Sequence, residues 1–382
     1  MKRIRLAERR KAVGLSQERL AELLGVDPVT VRRWERADTN PQPWHRPRLA
    51  KALRISIDEL AILLVDVQGP GAPTVAHEAD RVEQVLEGHT RVDQTVVDHF
   101  VSLLNQQRRL EDTIGGQPLL PVVMRQMETV QSLRFAARGQ LFDQVLALAA
   151  SHAQFIAWMC QDGGNSPQAV EYYSLAHDLA VEAGDADMVA TTLSMKAHVA
   201  WSSAEPLRCQ RFGEAAAATP GASPMVRGMA VQMSARGLAM QSDQQARHVL
   251  DDAAALLGSV VDMPDWMYFY GDVWLTLQAG MIESHLHSWA RATAFYRDGL
   301  DRLPEHFTRD RAWYLSCLAM AQAENGDAEA ALDVARAALP KAREVRNRHG
   351  IKQIERAANR LNAMGARQGR ELDELLVQTS AS

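Results

Sequence analysis

Two adjacent arginines, Arg32 and Arg33, follow Val29 in a short segment that begins with proline. An arginine guanidinium can donate two hydrogen bonds to O6 and N7 of guanine, and a valine side chain can contact the methyl group of thymine. A pair of arginines also occurs on ordinary solvated helix surfaces. The elements around the pair decide between these two interpretations.

Those elements are two short helices within residues 14–36, joined by the turn Gly25-Val26-Asp27. Ser16 is suited to cap the first helix, and Pro28 suits the first turn of the second. The apolar side chains expected to pack across the bend are Leu20, Leu23, Leu24, Val26, Val31 and Trp34. This pattern predicts a helix-turn-helix, a motif that places its second helix in the major groove of DNA.

Residues 4–65 resemble the phage-repressor-type, or xenobiotic-response-element-type, helix-turn-helix domain. The residues that carry the resemblance are Leu15-Ser16-Gln17, Leu20-Ala21, Leu24-Gly25-Val26, Val31 and Trp34-Glu35. The resemblance implies five helices, with residues 28–36 entering the major groove. It places Val29, Arg32 and Arg33 nearest the base edges, and it places Gln17 and Thr30 at phosphates. It also implies a structural ion pair between Arg10 and Glu35.

Residues 37–59 differ in part from the common pattern of that family. Ala37 stands where relatives usually have glycine, so we expect Asp38 or Asn40 in the left-handed region. The proline-rich segment 41–47 is of a form seen in actinobacterial regulators, and Trp44 within it is expected to fill the core rather than stack on a base. Arg46 and Arg48 are candidate phosphate contacts. Residues 56–59 form a capping box that predicts the last helix of this domain.

The charges are divided unevenly along the chain. Residues 1–65 carry a net charge of +6, and the remainder carries −11, within a total of −5. A basic segment on an acidic body is an electrostatic footprint for polyanion binding at one end only. The partner predicted for residues 1–65 is therefore double-stranded DNA, and no DNA contact is predicted for the rest of the chain.

The composition favours a cytoplasmic, nucleoid-associated protein of two parts. The chain has 382 residues and 47% hydrophobic content, which excludes a largely disordered protein. We expect no signal peptide and no membrane contact, because the longest apolar stretch is too short for a bilayer. Cys160, Cys209 and Cys317 lack CxxC spacing, so they are predicted to be buried apolar residues rather than zinc ligands or disulfides.

Beyond residue 65 the pattern is helical, which completes an all-α assignment. Gly69-Pro70-Gly71 lies in a predicted linker over residues 66–79. Residues 80–137 are predicted to be connecting or dimerisation helices, over 80–110 and 118–137, separated by Gly115-Gly116-Gln117-Pro118. Residues 138–382 are predicted to form a repeat domain.

The repeat is a trio of positions, small, bulky and small, spaced four and three residues apart on the second helix of each unit. The trios are Ala169/Tyr173/Ala176, Cys209/Gly213/Ala216, Ala246/Leu250/Ala253, Ala292/Tyr296/Gly299 and Ala331/Ala335/Ala338. Successive trios start 40, 37, 46 and 39 residues apart, which suits a helical hairpin with its turn. These positions resemble those of a tetratricopeptide-type array, although that family's tryptophan is not present.

In such a solenoid the first helix of each hairpin lines the concave groove. The column eleven residues before each trio contains Trp158, His198, Ala235, Met281 and Met320. A second column, eighteen residues before the trio, contributes Trp274 and Trp313 in the last two units. Aromatic and methionine side chains suit an apolar or peptide ligand, but the same residues also suit the interior of a tightly wound superhelix. Both interpretations stay open on the sequence alone.

No catalytic motif, metal site or cofactor site is predicted, because the chain lacks GxSxG, P-loop, HExxH and GxGxxG patterns. The architecture resembles peptide-pheromone-responsive regulators, which implies a transcription regulator whose repeat domain binds a peptide or small molecule. We expect a homodimer on a two-fold operator. Two alternatives are a DNA-anchored scaffold for a partner protein and a repeat domain that serves only dimerisation.

Overall fold

The computed structural model describes residues 3–36, 39, 41, 45–55, 60, 63–64, 82, 84–85, 87, 91–257 and 263–378. The chain divides into two compact units, Met1–Asp80 and Arg81–Ser382. The described residues contain helices and no strand, which agrees with the all-α prediction. Among them, no helix combines the length and the apolar composition that a membrane crossing needs.

In the described part of the first unit, four helices have defined ends, and Leu60, Leu63 and Leu64 are also helical. The four helices are α1 (Ile4–Ala12), α2 (Gln17–Leu24), α3 (Pro28–Glu35) and α4 (Arg46–Leu53). The capping box predicted to start a fifth helix lies outside the described residues. Leu60 and Leu64, which follow it, are buried against the core of this unit.

The turn between α2 and α3 is built as the sequence predicts. The Ser16 hydroxyl accepts a hydrogen bond from the Arg19 backbone N–H at 3.1 Å and so caps α2. Gly25 ends α2 in the left-handed region, at a φ of 69°. The Asp27 carboxylate accepts a hydrogen bond from the Val29 backbone N–H at 2.7 Å, and Pro28 follows in the first turn of α3. These contacts fix the path of the chain into α3.

The core of the first unit includes all but one of the leucines predicted to face the bend. Leu20, Leu24 and Val31 are buried, as is Trp34. Leu23 is 50% exposed, so its predicted place in the bend is wrong. The reason is helical geometry, because residue 23 lies about 100° away from the face shared by residues 20, 21 and 24.

An ion pair connects the first and third helices. Arg10 Nε lies 2.6 Å from Glu35 Oε1, and both side chains are 8% exposed. Arg10 also donates to the Leu15 carbonyl oxygen. The structural pair expected from the family resemblance is therefore confirmed. Arg3, which the sequence did not single out, donates to the carbonyl oxygen of Leu64 at 2.5 Å and closes the same unit.

In the second unit, Val82, Gln84 and Val85 are helical, and the first helices with defined ends are α5 (Gln94–Ile114) and α6 (Leu120–Leu133). The prediction of one helix over residues 80–110 is wrong, because Glu87 lies in a turn and residues 91–93 are not helical. The Asp93 carboxylate caps α5 by accepting a hydrogen bond from the Val96 backbone N–H. The predicted break at residues 115–118 is present, with Gly115 at a φ of 78°.

Six helical hairpins follow α6, each built from two antiparallel helices. In chain order, their helices are α7 (Gln140–Asp162), α8 (Ser166–Ala183), α9 (Ala186–Ser202), α10 (Pro206–Ala217), α11 (Pro224–Met240), α12 (Ala246–Leu257), α13 (Asp272–His285), α14 (Trp289–Arg302), α15 (Thr308–Glu324), α16 (Ala328–Glu344), α17 (Arg348–Ala363) and α18 (Arg367–Gln378). A short 3₁₀ helix, Asp265–Met267, lies between α12 and α13. The helical-hairpin array predicted from the trios is present.

The trios lie on the second helices of the first five hairpins, and all fifteen residues are buried. Their small residues let the helices approach closely. A Cβ atom on Gly213 would lie 2.5 Å from the backbone nitrogen of Ser234 on α11, which leaves no room for any side chain. The sixth hairpin, α17 and α18, lacks a trio, because Gln368 and Leu375 stand where small residues would be expected.

Candidate DNA interface and ligand cavity

The exposed face of α3 carries four side chains at helical spacing. They are Val29, Arg32, Arg33 and Arg36, which lie three, four and seven residues after the first. The opposite face buries Val31 and Trp34 in the core. The predicted base-reading residues therefore share one solvent-facing stripe. Arg36 extends this stripe by one turn, and the sequence analysis did not select it, although its i+7 spacing from Val29 was visible.

The two residues predicted to contact phosphates from within the helix-turn-helix are both half-buried. Gln17 donates a hydrogen bond from Nε2 to Glu35 Oε2 at 2.5 Å. Because an amide nitrogen carries two hydrogens, this bond leaves one of them for an acceptor outside the domain. Thr30 lies on α3 between the exposed and buried faces. The phosphate roles of both residues stay predictions.

Arg46 and Arg48 are exposed at the start of α4. Arg46 donates from Nε to the carbonyl oxygen of Pro41 at 3.2 Å, which orients its guanidinium along the preceding segment. Ala37, Asp38, Asn40 and Trp44 lie outside the described residues, so the expectations on them are not tested.

The hairpin array encloses a cavity of about 170 Å³ on its inner side. First helices of the hairpins provide most of its wall, through stripes on α7, α9 and α11, Trp274 of α13 and the first two turns of α15. The segment 266–269, helix α5 and the start of α17 provide the rest, and α5 packs against both α7 and α15. The helix predicted to be a connector is thus part of the cavity wall.

Four of the six residues predicted to contact a ligand line this cavity. They are Trp158, His198, Trp274 and Trp313. Met281 and Met320 do not. Met281 is 3% exposed, and its sulfur accepts a hydrogen bond from the Tyr296 hydroxyl at 3.2 Å. Met320 packs against the apolar core of the last two hairpins. The expectation that these two methionines face the groove is therefore wrong.

The reason is a drift of the cavity along successive first helices. On α7 the lining residues lie in the C-terminal half, from Gln154 to Asp162, whereas on α15 they lie in the first two turns, from Arg309 to Tyr314. A column of fixed spacing leaves the groove as the superhelix winds. This explains why the column eleven residues before each trio reaches the cavity in the first two hairpins. In the fourth and fifth hairpins, the column eighteen residues before the trio reaches it instead.

Charged residues that line the cavity were missed by the sequence analysis. Three buried arginines, Arg108, Arg236 and Arg309, are between 4% and 7% exposed. Arg236 is preceded and followed by small and apolar residues on α11, which was a visible signal, whereas Arg227 on the same helix is exposed. Arg108 and Arg309 become lining residues only through the packing of α5 against α15, which spacing along the chain does not predict.

Arg309 is surrounded by carboxylates. Its Nη1 lies 3.0 Å from Glu111 Oε1, and its Nη2 lies 2.7 Å from Asp310 Oδ1 and 3.7 Å from Asp112 Oδ1. We call Arg309, Glu111, Asp112, Asp162 and Asp310 the acid cluster. One guanidinium cannot compensate three buried carboxylates and the half-buried Asp162. Burial raises the pKa of Glu111 to about 8 and that of Asp112 to about 6, and it also raises the pKa of Asp162.

An aromatic group adjoins this cluster. The Arg309 guanidinium lies 4.8 Å from the ring centre of Trp158, and the ring of His198 lies 5.8 Å from that of Trp158 and 5.0 Å from that of Trp201. Burial, together with the charge of Arg236, lowers the pKa of His198 well below its usual value. His198 is therefore neutral and contributes an aromatic surface rather than a charge.

The three cysteines, Cys160, Cys209 and Cys317, are buried and unpaired, as predicted. Within the described part of the chain, no three histidine, cysteine or acidic side chains are grouped so that they could hold a metal ion.

The fold and these surfaces define a class of protein, in which a helix-turn-helix DNA-binding domain precedes a helical-hairpin array with an internal cavity. Residues 6–60 match the helix-turn-helix family model, so the first unit is a domain of this type. No match to a curated protein sequence was found.

Two solved structures show distant similarity to most of the chain. The Rap protein complexed with competence and sporulation factor is 11% identical over 80% of this chain and 93% of its own, with a TM-score of 0.49. PlcR from Bacillus thuringiensis, in complex with the peptide PapR7 and DNA, is 13% identical over 98% of this chain and 97% of its own, with a TM-score of 0.29. At these identities and scores, neither structure assigns a ligand to this chain.

Proposed function

We propose that the protein is a cytoplasmic transcription regulator that binds DNA sequence-specifically and whose hairpin array binds a small molecule or peptide that changes DNA binding. The helix-turn-helix match supports the DNA-binding half. The exposed stripe of Val29, Arg32, Arg33 and Arg36 supports base reading, because a major groove accepts a helix and arginine recognises guanine there.

The cavity is the observation that carries the sensing half. Burying charged and polar groups lowers the stability of a fold unless they are paired, so a domain used only for dimerisation gains nothing from such a lining. Tryptophans and a few convergent polar groups around a concavity are typical of ligand sites. Trp158, Trp201, Trp274 and Trp313 meet this description, and the three buried arginines supply the polar groups.

Helix α5 is the cavity-lining helix that lies nearest in sequence to the DNA-binding domain. It contributes Arg108, Glu111 and Asp112 to the cavity, and it is the helix of the second unit nearest in sequence to residues 1–80 that has defined ends. A ligand that contacts α5 changes DNA affinity only if it binds more tightly to one arrangement of that helix. A tenfold change in DNA affinity requires about 1.4 kcal/mol of differential binding.

The test compares operator binding by the wild type and by Trp274→Ala, with and without a low-molecular-weight cell extract or a peptide library. Trp274 lines the cavity, whereas Trp289 on the next helix does not, so Trp289→Ala is the matched control. We expect the extract to shift the operator affinity of the wild type and of the control. The operator affinity of Trp274→Ala should be the same with and without the extract.

If all three proteins respond equally, the ligand acts elsewhere and the cavity is not the sensor. If none responds and the array instead retains a protein in pull-downs, the scaffold alternative replaces this proposal. If neither a small ligand nor a protein is retained, the array is a dimerisation frame.

A further inference from the structure

One buried cation in the cavity wall has no anionic partner. Arg236 is 4% exposed, and its Nη2 donates only to the Gln278 amide oxygen. Its Nε and Nη1 atoms are buried without a hydrogen-bond partner among the described residues. The guanidinium lies 4.5 Å from the ring centre of Trp201, so one of its faces is covered by an aromatic ring.

Among the described residues, no carboxylate forms an ion pair with Arg236, and the acceptor of its hydrogen bond is the neutral Gln278 amide. Burial has the largest effect on the pKa of Arg236 and lowers it. The neighbours that raise this pKa are all neutral near pH 7: Tyr314, Cys209, Tyr296 and Cys317. Carboxylates of the acid cluster are ion-paired with Arg309 instead. A buried guanidinium without an anion costs free energy that a folded protein normally avoids.

We propose that Arg236 binds the carboxylate of the regulator's ligand, an inference that rests on the proposed function. A guanidinium offers its N–H groups as a planar fork that matches a carboxylate in a bidentate arrangement. Such a fork joins Nη2 to either Nε or Nη1, and in Arg236 both Nε and Nη1 are left unpartnered. Gln278 accepts one of the two hydrogens of Nη2, so the other can complete a fork with either unpartnered nitrogen.

The aromatic residues around Arg236 favour a ligand whose carboxylate is attached to an apolar group. Trp201, which covers Arg236, also contacts His198 at 5.0 Å and Trp313 at 6.1 Å between ring centres. A cavity of about 150 Å³ is known to hold one benzene molecule, so the space of about 170 Å³ accommodates one aromatic ring with a short acidic substituent. The ligand class is therefore an apolar monocarboxylate, either a free small acid or the C-terminal end of a short peptide.

The binding experiment uses the full chain and two kinds of probe. The first kind pairs phenylacetate and indole-3-acetate with their amides, and the second pairs a library of four- to seven-residue peptides with the same library amidated at the C-terminus. Tryptophan fluorescence and the unfolding temperature report binding. We expect the acids of at least one kind to bind tenfold or more tightly than their amides, and the kind that does so identifies the source of the carboxylate.

Variants of Arg236 connect this preference to the residue. In Arg236→Met the acid and the amide should bind equally, and in Arg236→Lys, which keeps the charge but not the fork, the preference should fall to an intermediate value. Arg208→Met is the matched control, because Arg208 is exposed on α10 and outside the cavity. A wild type that shows no preference for acids of either kind overturns the inference.

A measurement without any ligand gives an independent test. If the role of Arg236 is to bind a ligand carboxylate, its charge is uncompensated in the ligand-free protein. Arg236→Met then removes this buried charge and raises the unfolding temperature of the ligand-free protein. A lower unfolding temperature would make Arg236 a structural residue and overturn the inference. If acids and amides bind equally but still change operator affinity, the sensor function holds and only the carboxylate site fails.

Discussion

Arginines of the first unit differ in what their guanidinium groups contact. Arg3, Arg9 and Arg10 donate to backbone carbonyl oxygens or to Glu35, and so hold the domain together. Arg32 and Arg33 are exposed on α3. The positive charge of residues 1–65 therefore serves two purposes, and only the exposed part acts on DNA. Composition alone does not separate these two groups.

Arg33→Ala is expected to weaken binding to the specific operator by roughly 1–3 kcal/mol and to leave most nonspecific binding intact, because it removes a guanine fork. Arg32→Ala should act in the same direction. Arg48→Ala is the comparison, because loss of a phosphate contact weakens binding to all duplexes alike. The measurement is the affinity for selected and scrambled duplexes at one salt concentration. Equal losses on both duplexes for Arg33→Ala would make Arg33 a phosphate contact.

Glu111 is expected to make the stability of the second unit fall as pH rises. Its pKa is raised from 4.5 to about 8 in the folded state, so between these values the folded protein binds the extra proton. Stability from this group is complete below the unfolded pKa and is lost as pH rises through the folded pKa. One proton is worth about 1.4 kcal/mol per pH unit, so the free energy of unfolding should fall by roughly 1–2 kcal/mol from pH 6.5 to 8.

The pH range excludes most other buried groups, and the variant Glu111→Gln separates Glu111 from its acidic neighbours Asp112 and Asp162, whose pKa values are also raised. Burial lowers the pKa of His152 and His285 to about 4, which affects stability below pH 6.5, and raises that of Cys160 to about 11, which affects it above pH 8. Denaturant unfolding of the wild type and of Glu111→Gln at both pH values provides the comparison. A slope that persists unchanged in the variant would contradict the assignment to Glu111.

At the scale of elements, the hairpin turns share a backbone conformation although their residue types differ. Each turn between the two helices of a hairpin holds one residue in the left-handed region, at Gly164, Ala204, Ser242, His287, Gly326 and Gly365. The same backbone conformation recurs in all six hairpins, but only three turns use the residue that adopts it without strain. A search for conserved glycine spacing therefore misses half of the repeat.

Ala204→Gly is expected to stabilise the array by about 1 kcal/mol, because the left-handed conformation is unfavourable by roughly that free energy for a non-glycine residue. The φ of Ala204 is 58° and its side chain is exposed, so the substitution removes no packing. Ala215→Gly, an exposed position inside α10, is the matched control and should destabilise by about 0.5–1 kcal/mol. Thermal unfolding of both variants tests this. The same sign for both would show that strain at the turn is not the cause.

At the scale of the whole molecule, the number of base-reading side chains limits what one chain can recognise. One helix-turn-helix with a stripe of four exposed side chains reads only a few base pairs, too few to specify a site in a genome. We therefore expect a homodimer on a two-fold operator, with half-sites about 34–36 Å apart or a multiple of that distance. Footprinting gives the spacing, and light scattering gives the mass with and without DNA. A monomer in both conditions would contradict this.

The sequence by itself determined the local parts of this protein. The cap at Ser16, Pro28 in the first turn of α3, the core of the first unit and the trios of the hairpins follow from propensity and periodicity, which act over a few residues, and the structure confirms them. The error at Leu23 is of the same local kind, because helical geometry places that residue outside the core face.

Tertiary structure decided which side chains meet in the cavity. The superhelix moves the groove along successive first helices, so columns of fixed spacing reach it at Trp158 and Trp313 but miss it at Met281. Glu111 and Arg309, 198 positions apart, come within 3.0 Å only because α5 packs against α15. A contact of that kind depends on how whole helices cross, and no local pattern in the sequence encodes it.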